Sequence, residues 1–252
     1  GGVGMILVEA TCVDAPVGKG FDREMRLDNN RFIAGHFELT EVVHRYGTKI
    51  ALQLHHAGRH STLELTEGKQ PVAPSPVKEL SPVQSPGAAQ PRELTIEEIQ
   101  ELIEKFASAA DRARRAGYDA VEIHGAHGYL VHQFFSPRSN RRTDQYGGSL
   151  ENRARFATEI IRRIKERTGR NFPVIFRLTA EETVDEGGFT LEDGKAFAKY
   201  VEAAGVDAIH VTMGSFEDKG DVSRNLCPQS YPQGWRIPCA EAIKKELRIP
   251  VI

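Results

Sequence analysis

The order of apolar segments predicts an α/β fold, a (β/α)8 TIM barrel, and three observations carry that expectation. Short β-rich runs alternate with longer amphipathic stretches, as in successive βα units. Several of the short runs are almost continuously apolar, the pattern of parallel strands covered on both faces. One unit also recurs: Ala116-Gly-Tyr-Asp-Ala-Val-Glu-Ile-His124 echoes Ala204-Gly-Val-Asp-Ala-Ile-His210, each a helix stop followed by a buried strand. A doubly wound sheet is the competing arrangement.

Strands are expected over residues 4–9, 49–54, 119–124, 173–178 and 207–212, and helices over 30–46, 96–116, 150–168, 191–204 and 238–247. Thr95 and Glu98 have the spacing of a capping box, Thr190 and Asp193 a weaker version of it, and Ser149 can cap its own helix. Gly47, Gly117, Gly169 and Gly205 follow helices, where a left-handed residue ends the coil. Residues 60–93 break the rhythm, with Pro71, Pro74, Pro76, Pro82, Pro86 and Pro91 and neither period. A loop this long after a strand end is expected to cap the substrate side of a barrel. The chain reads as one barrel domain over residues 1–252, and as a partial one. It opens on Gly1-Gly2-Val3 directly before a strand and closes on Pro250-Val251-Ile252 at the start of another. At least one strand before and two after are expected outside the sequence.

Composition excludes some classes of function. A formal net charge of −2 gives no electrostatic case for nucleic acid or an anionic membrane as partner. The basic stretch over 162–167 has its apolar residues at helical spacing and reads as a solvated helix face. Cys12, Cys227 and Cys239 form no CxxC pair, so a clustered metal or iron–sulfur site within this chain is not expected. Sparse, odd cysteines fit a reducing cytoplasm. No apolar run approaches the ~18 residues of a membrane span.

The chemistry concentrates in His124-Gly-Ala-His-Gly-Tyr129, at the C-terminal end of an expected strand, where barrels carry their catalytic groups. Gly125 and Gly128 let the backbone turn sharply and approach a ligand. Imidazole N–H groups can hold a carbonyl oxygen, and a tyrosine hydroxyl can deliver a proton. A zinc site is the alternative for two histidines, but His124 and His127 lack i, i+4 spacing and no third ligand lies nearby. Arg177 sits in an otherwise apolar strand run, where an unpaired charge is costly, so it needs a ligand or a carboxylate. No strand is followed by GxGxxG, which disfavours a Rossmann nucleotide site.

Continuing from the histidines, the chain reads Gln133-Phe-Phe-Ser-Pro-Arg-Ser-Asn-Arg-Arg-Thr-Asp-Gln-Tyr-Gly-Gly-Ser-Leu-Glu-Asn-Arg153. Together with His124-Gly-Ala-His-Gly-Tyr-Leu130, it resembles the signature of the old yellow enzyme family. The likeness is greatest to its bacterial NADH:flavin oxidoreductase, 2-enoate reductase and 2,4-dienoyl-CoA reductase-like branch. The resemblance extends to Glu9-Ala-Thr11, Gln53-Leu-His-His-Ala-Gly-Arg59, Phe176-Arg-Leu178 and residues 207–252, and so covers essentially the whole chain.

The resemblance implies a barrel holding FMN noncovalently at its C-terminal mouth, with NADH or NADPH as reductant. Gln53 would meet the pyrimidine edge of the flavin, Arg177 would lie beside the same ring, and the Ala10 and Thr11 backbone would run along it. His124 and His127 match the pair that grips a substrate oxygen, and Tyr129 matches the proton donor. The implied substrate is a small α,β-unsaturated carbonyl or carboxylate, reduced at its C=C bond. Some dienoyl-CoA reductase relatives lack a histidine at position 124 and amine dehydrogenase relatives carry tyrosine there, so the His/His pair leans toward enoates or enones. Amine dehydrogenation or demethylation on the same scaffold, or a non-catalytic barrel fragment, are the competing readings. Flavin-phosphate loops are expected beyond Ile252. An iron–sulfur cluster and an FAD domain are expected only in a longer parent protein. Residues 214–235 resemble a variable loop near substrate, and homo-oligomerisation stays open.

Overall fold

The structure, a computed structural model, describes residues 2–78, 89–184, 187–215 and 230–252. The elements run β1 (Met5–Cys12), β2 (Met25–Arg26), α1 (Ile33–His44), β3 (Lys49–His55), β4 (Val72–Ala73), β5 (Arg92–Glu93), α2 (Ile96–Arg115), β6 (Ala120–Gly125), α3 (Leu130–Phe135), α4 (Leu150–Thr168), β7 (Val174–Thr179), α5 (Leu191–Ala204), β8 (Ala208–Thr212) and α6 (Ile237–Glu246). The main sheet has the order β2-β1-β3-β6-β7-β8 with every pair parallel, and Val251 adds a parallel bridge to Ile209. Sequential parallel strands joined through helices are the α/β TIM-barrel arrangement.

Each strand divides its residues by period two. One set, including Ile50, Leu52, Leu54, Val121, Ile123, Val174, Phe176 and Ile209, is fully buried and packs on α2, α4 and α5 through Phe106, Phe156, Ile160 and Phe197. Full burial of side chains this large is worth about 1.5–3 kcal/mol each. The other set is different in kind. It begins with a small cluster of Ala51, Ala120 and Ile175, flanked by Leu7 and Ala208. Toward the C-terminal ends it turns polar, with Gln53 in register with Glu122, His124 beside Arg177 beside His210, and Thr179 beside Thr212. Both faces of these strands are covered, as expected, but by different means. Only one face meets helices; the other faces the barrel interior and becomes polar where the site opens.

The caps come out as the sequence implies. Thr95 with Glu98, and Thr190 with Asp193, both form complete capping boxes, and Ser149 accepts the Asn152 N–H. Gly47, Gly117, Gly169 and Gly205 all take positive φ, although Gly169 pairs it with an extended ψ of 153°. The expected first helix is split into a short 3-10 turn over Asn30–Phe32 and α1. The proline-rich stretch is not devoid of period: β4 and β5 pair in parallel within it, while residues 79–88 lie outside the described residues. The short helix α3 is an addition to the sequence expectation. Among the described residues, no helix is long and apolar enough to cross a membrane.

Candidate active site

A cleft of about 370 Å³ opens at the C-terminal ends of the strands, lined by Glu9 and Ala10, the segment from Phe21 to Met25, and Gln53, His124, His127, Tyr129 and Arg177. Ala10 reaches it through an irregularity: the β1–β3 register shifts between Val8 and Thr11, so the strand bulges at Glu9–Ala10. Thr11 is fully buried beside the cleft, donates its hydroxyl to the Glu9 carbonyl and is not part of the lining.

The turn after β6 is tightly determined. A Cβ on Gly125 would lie 2.2 Å from the Phe176 ring and 3.0 Å from the Arg177 carbonyl, so glycine alone fits. His127 holds a positive φ of 61°, a costly conformation for this residue. Its N–H donates to Thr179 Oγ1 at 3.0 Å, and its Nε2 lies 3.0 Å from Thr212 Oγ1. Gly128 donates to His132 Nδ1 at 2.7 Å, leaving the His132 proton on Nε2, which faces Glu182 Oε1 at 3.1 Å. Burial raises the Glu182 carboxyl, but His132, Ser136 and the Phe189 N–H outweigh it and bring it below the ordinary carboxylate range. Gln133 closes the turn by donating to the Ala57 and Gly128 carbonyls.

His124 accepts the Ala126 N–H at Nδ1, so its proton sits on Nε2, the nitrogen left for the cleft. Burial, then the neighbouring His127, His55 and Arg177, push its pKa well below the ordinary imidazole value. Burial, then Arg177 and His132, do the same to His127. Both rings are therefore neutral at physiological pH and serve as hydrogen-bonding groups, not cations. Tyr129 caps α3 with only 5% of its surface exposed, boxed by the rings of His55 at 4.4 Å, His124 at 4.9 Å and His60 at 5.4 Å. His55 is itself pinned by Glu24, whose Oε1 lies 2.6 Å from Nδ1.

Arg177 is the anomaly. It has no hydrogen bond or ion pair among the described residues, and its buried Nε lacks any partner. Burial draws its pKa below the usual arginine value, with the Glu122 charge opposing. A guanidinium in that position calls for an anion or a set of acceptors in the cleft.

The structure thus brings Ala10, Gln53, His124, His127, Tyr129 and Arg177 to one cleft. Sequence reasoning missed Glu122, Glu24, Thr179 and Thr212. The argument applied to Arg177, a charge inside an apolar strand, would have found Glu122. His210, on β8, places its Nδ1 2.8 Å from Glu122 Oε2. Among the described residues no group of three metal-ligating side chains occurs, while Cys227 and most of residues 214–235 lie outside them.

The sequence pattern of the NADH:flavin oxidoreductase / NADH oxidase family matches residues 1–230. The chain is 55% identical over 252 residues to an NADH oxidase of Thermoanaerobacter brockii, covering all of this chain and 37% of that protein. It is 39% identical over 252 residues to an NADPH dehydrogenase of Clostridium acetobutylicum, covering 69% of it. A solved complex of 2-naphthoyl-CoA reductase with 2-naphthoyl-CoA superposes with a TM-score of 0.88 at 29% identity, over 99% of this chain and 38% of that one. The chain therefore spans little more than a third of two of these proteins and about two thirds of the other.

Proposed function

Because the chain belongs to the NADH:flavin oxidoreductase / NADH oxidase family, we propose that its cleft holds FMN and that it reduces the activated C=C bond of an α,β-unsaturated carbonyl or carboxylate at the expense of NADH or NADPH. The observation that carries this reading is Arg177, a half-buried guanidinium whose buried Nε has no hydrogen-bond partner and which lines the cleft beside Gln53, His124, His127 and Tyr129. Residues and cofactor suit each other: Arg177 supplies donors and Gln53 an acceptor for the pyrimidine edge of the ring, and the bulge brings Ala10 backbone to the cleft. Held there by Arg177, Gln53 and the Ala10 backbone, FMN would supply two-electron redox chemistry between a nicotinamide and the substrate.

The chain's own residues divide the remaining work. His124 offers Nε2–H to the substrate oxygen as a neutral donor, and burial beside His127, His55 and Arg177 keeps the ring from taking up a second proton. His127 flanks the same oxygen, its backbone fixed by Thr179 and its ring by Thr212. Tyr129 delivers its hydroxyl proton to the α-carbon, held in place by the rings of His55 and His124. The buried walls exclude water from the reacting face.

Tyr129→Phe is expected to slow substrate reduction by about 100-fold or more while leaving reduction of the enzyme by NADH nearly intact, read by stopped-flow absorbance of each half-reaction. Equal slowing of both halves would remove Tyr129 from the proton-donor role.

A further inference from the structure

We infer that Glu122 is the positioning residue that fixes which way the Gln53 amide faces, and so dictates that the cleft receives an acceptor from β3 and donors from β7. The inference rests on the FMN reading above for its consequence, and on geometry for its cause.

Glu122 is 1% exposed, sits in register with Gln53, and lies two residues before His124 on the same strand face. Its Oε1 takes a hydrogen bond from Gln53 Nε2 at 2.6 Å, and its Oε2 lies 2.8 Å from His210 Nδ1. An ionised carboxylate can only accept. Gln53 must therefore turn its amide nitrogen toward Glu122, which points its Oε1 away from Glu122. That oxygen accepts no hydrogen bond among the described residues, and Gln53 lines the cleft. Without Glu122 the two amide orientations would differ little in energy, and Gln53 could present either polarity.

A carboxylate at this position has no value as filler. The layer beneath it is built from Ala51, Ala120 and Ile175, and burying a charge there costs several kcal/mol unless it is fully bonded. Both oxygens of Glu122 are bonded, Oε1 by the Gln53 amide from the neighbouring β3 and Oε2 by the His210 imidazole from β8, two strands away. The carboxylate also offsets the Arg177 charge. The result at the cleft is an alternating edge, acceptor from Gln53 and donors from Arg177, complementary to a ring edge that presents an imide N–H beside a carbonyl. The pyrimidine edge of an isoalloxazine has that order.

The test is a rescue. FMN is titrated against the wild-type chain, Glu122→Gln, and the swap Glu122→Gln with Gln53→Glu, following flavin fluorescence, with thermal unfolding to establish that each folds. In the swap a donor amide at 122 faces a carboxylate at 53, which restores the acceptor toward the cleft. Glu122→Gln is expected to weaken FMN binding about tenfold, and the swap to recover it to within about threefold. Unchanged binding in the single variant, or no recovery in the swap, overturns the inference. A ligand-free measurement separates it from the FMN reading: the Gln53 side-chain amide protons should be widely split by NMR in the wild type and close together in Glu122→Gln. If the wild type takes up no FMN, the cofactor reading fails, and the amide spectrum still decides what Glu122 does. An unchanged splitting in the variant would sink it whatever the flavin result.

Discussion

Two polar regions of this chain are built to opposite specifications. The segment from Ser136 to Arg153 holds most of the family signature, yet its polar groups are spent on the protein itself. Arg142, 7% exposed, donates to the Pro74 and Leu94 carbonyls and pairs with Asp144 at 2.6 Å. Asn140 donates to the Phe134 and Tyr146 carbonyls, Tyr146 donates to Glu159, and Arg153 donates to the Phe135 carbonyl. In the strand-end cleft, the buried Arg177 Nε is left without a hydrogen-bond partner and Gln53 and His124 keep polar atoms directed away from their own bonds. The lesson is that satisfaction separates scaffold from site. A buried polar group with every bond made holds the fold, and one with bonds unmade waits for a ligand.

The largest expected effect tests that contrast with two arginines. Arg142→Leu strands two carbonyls and a carboxylate and should cost about 3 kcal/mol in chemical denaturation. Arg177→Leu should leave stability unchanged or raise it, because it removes a desolvated charge that Glu122 offsets only in part and that makes no hydrogen bond or ion pair among the described residues. Similar losses in both would break the comparison.

A smaller effect comes from pH. His124 and His127 have folded pKa values well below 6.5, so below that value the unfolded chain binds protons that the folded chain refuses. Stability is therefore full above pH 6.5 and falls as pH drops toward 5, by about 1.4 kcal/mol per pH unit for each such ring. His124→Asn should flatten the slope of melting temperature against pH over that window. Ser139→Ala, in the scaffold segment, should shift the curve without changing its slope. An unaltered slope in His124→Asn would mean the ring is charged when folded.

The smallest effect is at Thr212. Thr212→Val removes the hydroxyl 3.0 Å from His127 Nε2 while keeping the strand shape. A loss of about 1 kcal/mol, or roughly fivefold in turnover with little change in melting temperature, is expected from one hydrogen bond. No change in turnover would free His127 from Thr212.

The sequence made some of this legible and hid the rest, for identifiable reasons. Local rules placed α4 and α5 at their observed bounds, because Ser149 and Thr190 announce the starts and Gly169 and Gly205 the stops. His124, His127 and Tyr129 stood out because glycines isolate them. The split of α1 was hidden, since nothing at Phe32 interrupts the apolar period. Glu122, Glu24 and Thr212 were hidden because their partners lie on other strands or loops, 69, 31 and 85 residues away, and only the folded register brings them together. The role of the Ser136 to Arg153 segment was hidden for the opposite reason: a specific motif invites a chemical reading, and its bonds turn out to be internal.

The most direct test of the central claim is the visible absorption of the purified chain mixed with FMN, compared with Arg177→Leu under the same conditions. The account predicts a perturbed, bound flavin spectrum with the wild-type chain and at least tenfold weaker binding with the variant, at equal melting temperature. A wild-type chain that leaves the FMN spectrum and fluorescence unchanged, or a variant that binds as tightly, would contradict it.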